Sequence, residues 1–146
     1  MESSRTTNKY WNQMVPELTV TSFRKSLAFY TDALGFQVRF TRESPNFAYL
    51  YQESAQIMIE EHHRDGWNIE PLDKPFGRGV NFQIELADIA PIYDRLVKSD
   101  VSLYQVIEEN WYQTNEGLAG QREFLVQDPD GYLLRFCQAL NEEESL

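Results

Sequence analysis

Arg122-Glu123-Phe124-Leu125-Val126-Gln127-Asp128-Pro129-Asp130-Gly131-Tyr132-Leu133-Leu134-Arg135-Phe136 sets two alternating segments around an Asp-Pro-Asp-Gly turn. Pro129 pre-sets φ for a turn, Gly131 supplies a positive φ, and the Asp128 and Asp130 side chains can accept hydrogen bonds from backbone amides. The stretch therefore reads as a β-hairpin with its turn written in. A hairpin of this kind fits any antiparallel protein, so the fold depends on what surrounds it.

Working outward, one order of elements occurs twice, an internal repeat of structure more than of identity. A strand at about Met14 to Val20 leads into a helix from Phe23 to Leu34, with Phe23, Leu27, Tyr30 and Leu34 at helical spacing. Ser22 is placed to cap its start and Gly35 its end. Strands follow at about Phe36 to Thr41, Phe47 to Gln52 and Gln56 to Glu61. The pattern then restarts with a strand from Val80 to Leu86 and Asp88 as N-cap. A helix to Ser99 carries Ile89, Ile92, Tyr93, Leu96 and Val97 on its apolar stripe. Strands at about Leu103 to Glu108, Arg122 to Gln127 and Tyr132 to Gln138 complete a second βαβββ unit. Two segments break the repeat. His62 to Gly77 joins the halves and holds Trp67, Pro71, Pro75 and Phe76. Glu109 to Gly120 reads as a long loop with Trp111, Tyr112 and Glu116, suited to a ligand lid or a dimer contact.

Composition narrows the function classes. With 23 acidic against 13 basic residues the net charge is −10, which repels phosphate backbones and attracts cations, so nucleic acid is not the expected partner. No apolar run approaches the ~20 residues of a membrane helix, and Met1 to Asn12 is polar without an apolar signal core. The expected location is cytoplasmic, with no membrane partner. Cys137 is the single cysteine, which leaves no intrachain disulfide; its alternating context suits a packed small hydrophobe better than a nucleophile.

Strand alternation assigns faces. Leu18 and Val20 oppose Glu17 and Thr19; Ile57 and Ile59 oppose Gln56, Met58 and Glu60; Leu134 and Phe136 oppose Leu133, Arg135 and Cys137. From Phe47 to Tyr51 the second face shows Phe47, Tyr49 and Tyr51. The face away from the helices is thus polar with aromatic patches, which suits either a solvated surface or a groove for a planar, cationic ligand. His62 and His63 are adjacent, and on a strand their side chains diverge, so a shared metal needs a kink and help from Glu60, Glu61 or Asp65.

Val15-Pro16-Glu17-Leu18-Thr19-Val20, Ser26-Leu27-Ala28-Phe29-Tyr30, Leu34-Gly35-Phe36 and the C-terminal hairpin together resemble the vicinal-oxygen-chelate superfamily of glyoxalases, bleomycin resistance proteins and extradiol dioxygenases. Val15-Pro16-x-Leu18 and Arg122-Glu123-Phe124 lie nearest the bleomycin-resistance branch. The resemblance covers about Met14 to Gln138. It implies an α+β fold, paired βαβββ modules whose curved mixed sheets surround a cavity. The modules are residues 14–61 and 79–138, joined by a linker at 62–78 and flanked by an N-terminal arm (1–13) and an acidic tail (139–146), its end from Asn141 frayed. Metalloenzymes of the superfamily carry His, Gln or Glu ligands on the inward faces of particular strands. Here the corresponding positions hold Val15, Asn81 and Arg135, and only Glu60 matches a carboxylate position. A valine cannot ligate and an arginine repels a divalent ion, so the resemblance implies no metal, no cofactor and no catalytic residues.

What the resemblance implies instead is a homodimer that sequesters a small aromatic or cationic, bleomycin-like molecule without turnover, as in antibiotic resistance. The groove residues expected on this basis are Phe47, Tyr49, Glu60, Trp67, Asn81, Trp111 and Arg135, with Arg135 pairing Glu60 or Glu17 across the groove or meeting a ligand carboxylate. The tryptophan that many such proteins carry before the last hairpin falls near Ala119 or Gly120, so Trp111 or Trp67 stands in for it. Two other readings stay open: a metal-dependent enzyme of the superfamily with Glu17, Glu60 and His62 as atypical ligands, and a subunit whose curved face binds another protein.

Overall fold

Ser22 begins the first helix as its position foretells, its Oγ accepting the Lys25 N–H at 3.3 Å. The computed structural model describes residues 10–141, so the expected arm is seen only from Tyr10, and the tail beyond Asn141 lies outside the described residues. Contacts divide the chain into two units that meet between Pro71 and Leu72, inside the expected connecting segment.

In the first unit β1 (Glu17–Val20) is followed by α1 (Phe23–Ala28), a π-helical turn (Phe29–Ala33), β2 (Gln37–Arg42), β3 (Phe47–Gln52) and β4 (Ala55–Glu61). The sheet order is β1-β4-β3-β2, with β1 parallel to β4 and the other pairs antiparallel. The widened turn is visible in the Leu34 N–H, which donates to the Phe29 carbonyl at 3.0 Å, five residues back. It leaves both Tyr30 and Leu34 fully buried, and Gly35 takes a φ of 86° to end the helix.

The second unit repeats the order: β5 (Asn81–Glu85), α2 (Ala90–Lys98), β6 (Leu103–Thr114), β7 (Gly117–Gln127) and β8 (Leu133–Leu140), in the sheet order β5-β8-β7-β6. Asp88 Oδ1 accepts the Ala90 N–H at 3.0 Å, and Pro91 occupies the first turn of α2. Ile89, Ile92 and Leu96 are buried, whereas Val97, expected on the same stripe, is 50% exposed.

The segment Glu109 to Gly120 is not a loop. β6 and β7 stay paired from Glu109↔Arg122 out to Thr114↔Gly117, and Asn115 and Glu116 make the turn. The polar residues between Trp111 and Leu118 disguised strands whose pairing needs only backbone groups, and Gly117 (φ 112°) supplies the turn. The connecting segment is likewise tied down. Asn68 bonds Thr19 in the first unit, while Phe76 packs on Tyr132 and its N–H donates to the Asp130 carbonyl in the second.

The Asp-Pro-Asp-Gly turn forms as its sequence foretells, with a division of labour. Asp128 Oδ1 accepts the N–H groups of Asp130, Gly131 and Tyr132, each at 2.9 Å, whereas Asp130 lies 3.5 Å from Lys74 Nζ. Gly131 has φ 105°, and a Cβ there would stand 2.5 Å from Pro75 Cβ.

Candidate functional site

In the first unit the helix-side face of the sheet is the core, with Leu18, Val20, Ala48, Leu50, Ile57 and Ile59 buried. On the opposite face Phe40 stacks on Tyr49 at 5.6 Å, and Trp11 meets the Tyr49 ring edge-on at 4.9 Å. The arginines of β2 take the ring faces that a ligand cation would use. Arg42 lies 4.0 Å over Phe47, and Arg39 lies 3.4 Å over Trp11. Phe47 and Tyr49 are consequently 1% and 5% exposed. They line the expected face, yet they are floor beneath Trp11, Phe40 and Arg42 rather than free groove wall.

Beside that floor lies a cavity of about 250 Å³ bordered by Glu17, Arg42, Glu60, His63, Asp65 and Trp67. Burial, then the charge of Glu60, push the Glu17 carboxyl above its usual range, with Arg42 acting the other way. His63 Nε2 stands 3.3 Å from Glu60 Oε1, while the His62 side chain is exposed, so the adjacent histidines do separate. Trp67 is 94% exposed at the rim.

The second unit carries a cavity of about 430 Å³, bordered among others by Asn81, Gln105, Glu108, Tyr112, Glu123 and Arg135. Glu123 is only 2% exposed and is the centre of a network. It accepts Asn110 Nδ2 at 2.7 Å, Gln121 Nε2 at 2.9 Å and the Tyr112 hydroxyl, and it pairs with Arg135 Nη1 at 3.7 Å. Arg135 thus has a carboxylate partner within its own unit. The hydrogen bond to Glu123 is the main cause that raises the Tyr112 hydroxyl pKa, followed by burial. Trp111 also borders this cavity, but its indole covers Gly120, where a Cβ would come within 2.5 Å of the ring. Strand alternation puts Trp111 with Glu109 and Arg122 on one side of the hairpin and Asn110, Tyr112 and Gln121 on the other. Cys137 is fully buried beside Glu85 and Glu123, and burial first, then those charges, push its thiol up to about 11.

Gln105, Glu108, Asn110, Tyr112, Glu123 and Leu125 border this cavity and were not among the expected groove residues. The turn geometry held a signal for Glu123: a hairpin closed at Gln127↔Leu133 sets Leu125 opposite Arg135, and Glu123 is the next inward residue on the same strand.

The superfamily's metal positions do not fit a divalent ion in this chain. Val15 precedes β1, Asn81 offers only an amide, and Arg135 brings a cation bound to Glu123. Among the described residues no three His, Cys, Asp or Glu side chains converge as a metal ion requires. No helix among the described residues is long and apolar enough to cross a membrane.

The two four-stranded mixed sheets match the fold of known proteins. Residues 12–136 match the Glyoxalase/Bleomycin resistance protein/Dioxygenase superfamily, and the chain belongs to that superfamily. Bleomycin resistance proteins from Geobacillus stearothermophilus and Staphylococcus aureus are each 26% identical over 137 residues, covering 88% of this chain and 97% of theirs. Among solved structures, a bleomycin-binding protein complexed with bleomycin is 26% identical with a TM-score of 0.57, over 90% of this chain and 100% of its own. The bleomycin resistance determinant encoded on the transposon Tn5 is 25% identical with a TM-score of 0.58, over 90% and 99%.

Proposed function

We propose that this protein binds a small aromatic or cationic molecule of the bleomycin kind and acts by holding it, without turnover. The observation that carries the reading is the cavity of the first unit, where Glu17, Glu60 and Asp65 face Arg42 and His63 beside the exposed ring of Trp67. Carboxylates beside an open indole suit a planar group joined to a positive charge. The bleomycin resistance relatives support the same direction, as does the bleomycin complex of a protein 26% identical.

Titrating the protein with bleomycin is expected to quench tryptophan fluorescence and to raise the melting temperature. Trp67→Ala is expected to remove most of the quenching and to weaken binding by about 1 to 2 kcal/mol. Raising salt above ~0.15 M should weaken binding further, since exposed charges are screened beyond about 8 Å while stacking survives. Glu17 gives a pH signature. Its carboxyl holds its proton above the ordinary 4.5, so ionising it in the empty protein costs stability as pH rises through the raised value. A bound cation offsets that cost, so affinity should climb as pH rises through the same window. Unchanged fluorescence and melting temperature at high micromolar bleomycin would end the drug-binding reading.

Homodimerisation belongs to the same proposal. β2 and β6 are outer strands of their sheets, and Val38, Tyr104 and Val106 on them are 42%, 66% and 61% exposed. Apolar side chains on an open strand edge favour a covering partner. Light scattering is expected to give twice the chain mass; a monomer mass in dilute solution would count against it.

A further inference from the structure

The second unit's cavity has a charge character of its own, and the ligand chemistry assigned to it rests on that cavity being part of the small-molecule site. Its most buried charge, Glu123, is already engaged: three donors take three of the roughly four lone-pair directions of a carboxylate, and the Arg135 guanidinium faces it as an ion pair. With its charge already paired and only 2% exposure, it has little to offer a ligand cation. Arg135 is in the reverse position. Its 3.7 Å contact with Glu123 is an ion pair longer than a hydrogen bond, and its Nε is buried without any acceptor. A guanidinium has five N–H donors in a fixed fork, and the side chain is 29% exposed on the cavity. Leu125 stands opposite Arg135 in the sheet, and the Tyr112 ring is 42% exposed beside them.

We infer that this cavity takes the oxygen-acceptor end of the ligand, a carboxylate or amide carbonyl on a planar ring. Arg135 binds the oxygen, and Tyr112 and Leu125 meet the ring. Glu123 is a positioning residue that holds the guanidinium, and Asn110 and Gln121 hold Glu123 in turn.

Three ring-matched probes test this at ~0.15 M salt, where the net charge of the protein is screened: 2-naphthoate, 2-naphthamide and 2-naphthylmethylammonium, each measured by calorimetry against the unmodified protein. Naphthoate and naphthamide are expected to bind about tenfold or more tightly than the ammonium compound, as charge-assisted hydrogen bonds to arginine would give. Preference for naphthoate over naphthamide would mark a carboxylate ligand, and equal binding an amide or other neutral carbonyl. Arg135→Lys keeps the charge but loses the fork, and should cost naphthoate about tenfold while the melting temperature stays near that of the parent. Tighter binding of the ammonium probe, or naphthoate binding unchanged by Arg135→Lys, overturns the inference. Bleomycin titrated in parallel separates the two readings. If it binds while naphthoate ignores Arg135, the acceptor site falls and the drug reading stands. If Arg135 governs naphthoate binding and bleomycin has no effect, the reverse holds.

Discussion

Asp128→Ala is expected to lower stability by about 3 kcal/mol or more, because one buried oxygen serves three backbone donors. Oδ1 of Asp128 accepts from Asp130, Gly131 and Tyr132, and the side chain is only 4% exposed. Alanine leaves the Asp130 and Tyr132 N–H groups facing protein, each costing about 1 to 3 kcal/mol if nothing replaces the acceptor, while the Gly131 N–H keeps its bond to the Asp128 carbonyl at 2.9 Å. The sum is less than three full penalties, since Gly131 retains that backbone acceptor. Urea unfolding should show the loss as a midpoint shift on the order of 1 M or more, given ~1 to 3 kcal/mol/M for a small protein. Asp128→Asn keeps one carbonyl oxygen and should recover most of it. A change under about 0.5 kcal/mol for alanine would mean that the turn is held by something else, such as the Lys74 contact with Asp130 or the Phe76 N–H to the Asp130 carbonyl.

That turn is also where the sequence said most. Proline, glycine and two aspartates act through local geometry, and local geometry survives whatever the rest of the chain does. The same holds for Ser22 and Gly35 at the ends of the first helix. Alternation separated Leu18, Ile57 and Phe136 from Glu17, Glu60 and Arg135 correctly, because a strand's two faces are fixed by its pleat. What alternation cannot report is what lies on top of a face. Phe47 and Tyr49 point where expected, but Trp11, Phe40, Arg39 and Arg42 arrive from elsewhere in the chain and close over them. The hairpin of β6 and β7 was hidden for a related reason. Its outer pairs, Tyr112↔Ala119, Gln113↔Leu118 and Thr114↔Gly117, set single apolar side chains among polar and small ones and carry no hydrophobic rhythm. A loop would leave Trp111 free to swing as a lid; on the strand it lies over Gly120 at the border of the cavity, and Tyr112 takes the inward place.

Glu123→Ala is expected to be the most destabilising change in the second unit, by about 3 to 5 kcal/mol, through the group it abandons more than the group it removes. Arg135 would keep its charge within the cavity wall with no carboxylate in contact, and Asn110, Gln121 and Tyr112 would each lose an acceptor. Glu123→Gln keeps an oxygen for part of that set and should cost less, but it leaves Arg135 without a counter-charge. The informative partner is the double change Glu123→Leu with Arg135→Met. Replacing both members of a buried pair with apolar groups of similar size is often neutral, so the double variant should regain most of the loss. Denaturant unfolding of the parent, both single variants and the double variant gives the coupling directly. If the double variant is as unstable as Glu123→Ala alone, the penalty lies in the neutral network and not in the unpaired guanidinium. If stability returns, the recovered protein separates fold from recognition: it has the same sheet and the same cavity walls at Tyr112 and Leu125, but no donor fork. It should keep whatever affinity the first unit's acidic cavity supplies and lose the preference for an oxygen acceptor. Arg135 and Glu123 would then stand as a pair whose stability cost is borne for recognition, since an apolar pair would hold the sheet together as well.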